Sequence, residues 1–185
     1  MEHLTFHLDA YLVADLNGLL GRPLMQVDFR KVIPNGTVGT LPMTMWAGGE
    51  AVTIAYGSDE FPISPFDFYP LSNLTQSINP SQPAKGSDTV VHLQGQALTH
   101  IDIVRAKVCG FFQDNQFLDI EVDLSVVLRT DAGFIALQRT YLDDFAVNIS
   151  LGGKDDALEL IAPDFSGETD HEYRYDVELD VLSLT

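Results

Sequence analysis

Leu118-Asp119-Ile120-Glu121-Val122-Asp123-Leu124-Ser125-Val126-Val127-Leu128 is the stretch that decides the fold. Ile120, Val122, Leu124, Val126 and Leu128 recur at every second position, and Asp119, Glu121, Asp123 and Ser125 fill the gaps. Successive side chains of a strand point to opposite faces. The segment therefore predicts a strand with one face in an apolar core and the other in water.

The same alternation extends in both directions. Leu4, Phe6, Leu8, Ala10, Leu12, Ala14 and Leu16 predict a long first strand, ended by an Asn17-Gly18 turn. Met25, Val27 and Phe29 predict a second, closed by Pro34-Asn35-Gly36. Thr44–Trp46 and Val52–Tyr56 flank Ala47-Gly48-Gly49-Glu50, whose glycines can supply the positive φ angles of a hairpin loop. Val90–Leu93 and Ile101–Val108 are further strand candidates. Thr130-Asp131-Ala132-Gly133 predicts a hairpin loop into Phe134–Leu142, and Phe145, Val147, Ile149 and Leu151 form the next strand. Asp155–Ile161 suggests a short helix with acidic residues near its start, where they complement the helix dipole. The last strand places Tyr173, Tyr175, Val177, Leu179 and Val181 inward, and Arg174, Asp176, Glu178 and Asp180 outward. About ten strands separated by turn signals predict an all-β fold, an antiparallel β-sandwich or barrel with at most one short helix.

Residues 57–88 interrupt the rhythm. Five of the nine prolines lie there (Pro62, Pro65, Pro70, Pro80 and Pro83), and proline cannot donate to a central ladder, so a long connection is expected. Phe61, Ile63, Phe66, Phe68, Tyr69, Leu71 and Leu74 are too apolar for a solvated tether. The expectation is an ordered loop over the core or across a barrel end.

A chain of 185 residues suits a single domain, 1–185, burying roughly 70% of its surface on folding. The single cysteine, Cys109, cannot form an internal disulfide, and its apolar neighbours Val108, Phe111 and Phe112 suggest a buried, inert thiol. Met1-Glu2-His3-Leu4 lacks the basic start and apolar run of a signal peptide, and no stretch approaches the ~20 apolar residues of a membrane-spanning helix. The expected location is cytoplasmic.

Net charge is −17. Residues 1–113 hold 10 acidic and 6 basic side chains, whereas residues 114–185 hold 17 and 4. Such a surface repels phosphate backbones and anionic membranes, so neither nucleic acid nor membrane is an expected partner. Two rows of carboxylates stand out, Asp119, Glu121 and Asp123, and Asp176, Glu178 and Asp180. At i, i+2 spacing such groups lie about 7 Å apart on one strand face, with a repulsion of roughly 0.6 kcal/mol per pair in water. Rows placed directly opposite would add destabilising like-charge pairs. The two strands are therefore expected not to be in-register neighbours, or to have Arg174, Arg139 or Arg129 between them, with both rows facing water or a basic partner.

No motif carries catalytic chemistry. The chain lacks a G-x-S-x-G elbow, a phosphate-cradling loop, H-E-x-x-H and an EF-hand loop, so no catalytic, cofactor-binding or metal-binding residue is assigned. On a strand His3 and His7 would lie about 13 Å apart, too far to share an ion. His92 and His100, separated by Gly95-Gln96, would face each other across a hairpin but lack companion ligands at zinc spacing.

The function these features favour is a non-enzymatic protein-interaction or assembly module, such as a subunit of a virion or tubular assembly. The two carboxylate rows would be its docking face for a basic protein or a second subunit. One alternative is a small-molecule-binding β-barrel or small barrel enzyme, with Trp46, Phe61, Phe66, Phe68 and Tyr69 lining or lidding a pocket. Another is an acidic neutraliser of a basic toxin. No cofactor is expected.

Overall fold

Two long strands organise the molecule. Thr89–Phe112 (β6) and Asn115–Thr130 (β7) are joined by Gln113 and Asp114, both at positive φ (47° and 64°), the backbone twist a two-residue hairpin turn requires. The structure, a computed structural model, describes residues 3–29, 42–62, 68–76, 89–141, 144–150 and 172–185. Besides β6 and β7 these form β1 (Leu4–Phe6), α1 (Ala10–Gly18), β2 (Pro23–Phe29), β3 (Met43–Ala47) and β4 (Glu50–Pro62). β5 (Phe68–Gln76), β8 (Gly133–Tyr141), β9 (Asp144–Ser150) and β10 (Tyr173–Leu184) complete the set. Among the described residues the fold is mostly strand with one short helix, in a curled sheet that makes a half-barrel.

The sheet runs β5-β4-β3-β2-β6-β7-β8-β9. β6 is long enough to serve two partners on one edge: β2 along residues 89–97 and β10 along residues 101–112. β7 likewise carries β8 along residues 125–130 and the parallel β1 at residues 120–122. The turns match expectation where glycine sits at positive φ: Gly48 (56°) and Gly49 (87°) close β3 onto β4, with Ala47 opposite Glu50. Asp131-Ala132 closes β7 onto β8, with Thr130 opposite Gly133.

One extra residue in β7 turns the core over. Val104 pairs with Ser125 but Arg105 pairs with Asp123, so Leu124 is a bulge. Before it, Ile101, Ile103, Val126 and Leu128 join a large cluster with Leu8, Leu12, Leu16, Leu19, Leu24, Val27, Met43, Met45 and Ile54. Beyond it, Ala106, Val108, Leu118, Ile120, Val122 and Leu124 form a second cluster on the opposite face, flanked by Leu4, Phe6, Phe117 and Tyr175. The five apolar residues expected on one face of this strand are all buried, yet they divide between the two faces.

Three expectations are corrected. The first strand stops at Phe6, and Ala10–Gly18 is helical. Leu8, Leu12, Leu16 and Leu19 recur at helical spacing and enter the large cluster, and the Asp9 side chain caps the helix by accepting from the Tyr11 N–H. The loop expected over 57–88 is strand at 57–62 and 68–76, pairing Tyr56 with Leu74 through Pro62 with Phe68. Pro70 is tolerated because β5 ends the strand order, where a missing N–H costs no ladder bond. Met25 does not point inward with Val27: a bulge between Leu24 and Gln26 leaves it half exposed. The helix expected at 155–161 lies outside the described residues.

Candidate functional site: the carboxylate face of the central hairpin

Four strands stand side by side beyond the Leu124 bulge, in the order β1, β7, β6, β10. Their register builds three rungs. Asp119, Cys109 and Asp176 form one; Glu121, Lys107 and Glu178 the next; Asp123, Arg105 and Asp180 the third. The two carboxylate rows are therefore separated by β6, as like-charge repulsion requires. The cations between them are Arg105 and Lys107 rather than Arg174, Arg139 or Arg129. Arg174 pairs with Asp176 and Asp114, and Arg129 pairs with Asp102; the Arg139 side chain lies outside the described set.

The two rows have different environments. Asp119, Glu121 and Asp123 are consumed inside the molecule. His3 Nδ1 lies 2.9 Å from Asp119, and His7 Nε2 lies 2.6 Å from Glu121. Asp123 is 5% exposed, and accepts from Arg105 Nε at 2.8 Å and from the Leu8 N–H at 2.8 Å. Arg105 also approaches Glu121 at 3.5 Å, and these carboxylates push its pKa up, the hydrogen bond to Asp123 most of all. The expectation that this whole row faces water or a partner fails at Asp123, a buried ionic anchor that ties the segment before α1 to the hairpin. His3 and His7 fall on one face of the segment, as alternation requires, and each takes its own carboxylate.

Asp176, Glu178 and Asp180 are exposed. Among the described residues, Asp176 approaches Arg174 at 3.3 Å, Asp180 accepts from the Val181 N–H at 2.9 Å, and no ion pair involves Glu178. The apolar residues between them are also open: Val177, Leu179 and Val181 are 38%, 40% and 46% exposed, not inward as the alternation suggested. They stand in register beside Val108, Ala106 and Val104 of β6 while keeping much of their own surface in water. β10 is firmly held nonetheless. At one end Tyr173 packs on Phe112 (4.9 Å between centroids) and Phe117 (6.1 Å), and Arg174 lies over Phe111. At the other, Ser183 Oγ donates to Asp102 at 2.7 Å, and Asp102 also accepts from Arg129 Nε at 2.5 Å. Burial pushes the Asp102 carboxyl up, but the Arg129 and Ser183 hydrogen bonds and the Arg129 charge outweigh it and hold its pKa below the usual range.

Cys109 stands between Asp119 and Asp176 on the carboxylate face and is half buried, not sealed in the apolar core. Desolvation, then the charge of Asp119, with Asp176 and Glu178 behind it, raises its pKa and disfavours the nucleophilic thiolate.

Four of the aromatic residues considered for a pocket mouth, Trp46, Phe61, Phe68 and Tyr69, lie on β3, β4 and β5. Trp46 Nε1 donates at 2.8 Å to Asp28, a carboxylate 1% exposed that also accepts from Gln26 Nε2 at 2.6 Å. Phe61 stands opposite Tyr69, and Phe68 opposite Pro62, as ladder partners in the β4–β5 hairpin; Phe66 lies outside the described residues. His92 and His100 do not face each other across a hairpin, because one strand, β6, runs through both, with Gly95 at φ 71° where its pairing to β2 is irregular.

No described helix is long and apolar enough to cross a membrane, which says nothing of strands. Comparison with protein-family models, with curated proteins and with solved structures found no match for this chain.

Proposed function

We propose that this chain is a non-enzymatic protein-interaction or assembly module that docks a basic partner on β10. The observation that carries the reading is the contrast between the two carboxylate rows. One is engaged by Arg105, His3, His7 and a backbone amide, whereas Asp176, Glu178 and Asp180 stand exposed on an outer strand, where among the described residues their one ion pair is Arg174 to Asp176. A fixed row of charge in water steers a cationic partner and sets its register.

The test separates this row from overall acidity. Glu178→Lys/Asp180→Lys and Asp131→Lys/Glu172→Lys change net charge equally, and all four residues are exposed. Binding of hepta-lysine, measured by calorimetry at low salt, is expected to weaken at least tenfold in the first variant and less than threefold in the second. Equal weakening would reduce the row to bulk charge and remove the proposal.

A further inference from the structure

We infer that the partner of β10 is an extended segment carrying lysine or arginine at alternate positions with apolar residues between, added as a further strand to the open edge of the sheet; this rests on the reading of β10 as the docking strand.

Among the described residues, β10 is paired along one edge only. All twelve of its residues, Tyr173 to Leu184, pair with β6 without a bulge, and no other described strand lies against it. The Val181 N–H donates to its own neighbour's carboxylate, Asp180 Oδ1, and so does not serve the β6 ladder. Backbone groups of a strand alternate in direction, so Val177, Leu179 and Val181 turn their N–H and C=O groups to the free edge. An outer strand of this length, with an apolar row 38–46% exposed, is the arrangement proteins normally blunt or cover.

Charge chooses the occupant. Directly opposed residues of adjacent strands share a face, so an added strand lays one set of side chains beside Asp176, Glu178 and Asp180 and the other beside Val177, Leu179 and Val181. A second copy of β10 is a poor fit. Antiparallel pairing that keeps apolar beside apolar and overlaps the row sets carboxylates opposite carboxylates, and parallel in-register pairing sets every carboxylate opposite its twin. Arg174 is the one cation on this face of β10. A segment of about seven residues, reading cation-apolar-cation, satisfies both rows and the free backbone groups together.

The experiment uses the intact chain and synthetic peptides. Lys-Val-Lys-Leu-Lys-Val-Lys is compared with a block permutation of the same residues, Lys-Lys-Lys-Lys-Val-Leu-Val. It is also compared with two N-methylated forms, one methylated on the lysines and one on the apolar residues. Strand addition requires the alternating peptide to bind at least tenfold more tightly than the block peptide. It also requires one methylated form to lose binding while the other keeps it, since only every second N–H of an edge strand faces its partner. Equal binding by the alternating and block peptides, or by both methylated forms, overturns the strand geometry but leaves acidic docking standing. Failure of hepta-lysine to distinguish the two charge-reversal variants removes the docking reading beneath it. Concentration-dependent dimerisation abolished by Leu179→Pro would assign the edge to a second copy and overturn the inference.

Discussion

Replacing Arg105 with methionine isolates the electrostatic anchor at the middle of the sheet. The substitution keeps an unbranched apolar stem but leaves the Asp123 carboxylate, whose side chain is 3% exposed, facing a neutral neighbour. Removing one partner of a buried ion pair costs about 3–5 kcal/mol, because the remaining charge is desolvated without compensation. Two features place this pair at the low end. Arg105 is itself 26% exposed, and the Leu8 N–H still donates to Asp123 Oδ2. A loss of about 3 kcal/mol is therefore expected. With a urea m-value of about 2–3 kcal/mol/M, the unfolding midpoint falls by about 1 M. Adding Asp123→Asn to Arg105→Met removes the stranded charge while preserving an acceptor for Leu8, and is expected to recover at least half the loss. A cost below about 1 kcal/mol for Arg105→Met, the magnitude of a surface pair, would refute the reasoning, as would no recovery in the double variant.

Cys109 is expected to react slowly with iodoacetamide at pH 8, and Asp119→Asn/Asp176→Asn to accelerate it, since those carboxylates help desolvation hold the thiol protonated; the rate is read by mass spectrometry. The Asp102 carboxyl, with its folded pKa below the ordinary value, contributes stability that is fully present above the unfolded pKa of about 3.9 and is lost as pH falls through the folded pKa. Asp102→Asn is thus expected to destabilise the protein at pH 7 and to flatten the acid limb of its stability curve below pH 4, followed by urea midpoints. Leu16→Ala is expected to cost about 3 kcal/mol because Leu16 is fully buried under the sheet, whereas Ala14→Lys is expected to change stability by less than about 0.5 kcal/mol. Strong destabilisation by Ala14→Lys would restore the strand originally expected for residues 4–16.

Most of the strands were legible because period two is a strong signal wherever one face is polar. It misled at residues 8–16 for an arithmetic reason: Leu8, Leu12 and Leu16 are spaced by four, which fits a strand face and a helix face equally well. The deciding clues were local, Asp9 as the cap and Leu19 three residues beyond Leu16, a step no strand face allows. Prolines misled at 57–76 because their cost depends on position in the sheet, and β5 ends the strand order, where Pro70 loses nothing. The carboxylate rows were visible, and so was the need to keep them apart. Which cations separate them was not, because Arg105 and Lys107 come between the rows only once β6 has β7 on one edge and β10 on the other. The burial of Asp123 was hidden for a related reason: its two donors belong to a distant segment and a neighbouring strand.

The central hairpin also imposes a sequence of events on assembly. β6 and β7 meet across a two-residue turn, but β1 pairs with a stretch of β7 that follows it by 116 positions, and β10 needs the edge that β6 offers. Neither outer strand has a ladder to join before that hairpin exists. Leu4 and Phe6 stay uncovered until the chain beyond residue 120 has been made, so the growing polypeptide carries an apolar segment ahead of the surface that will shelter it.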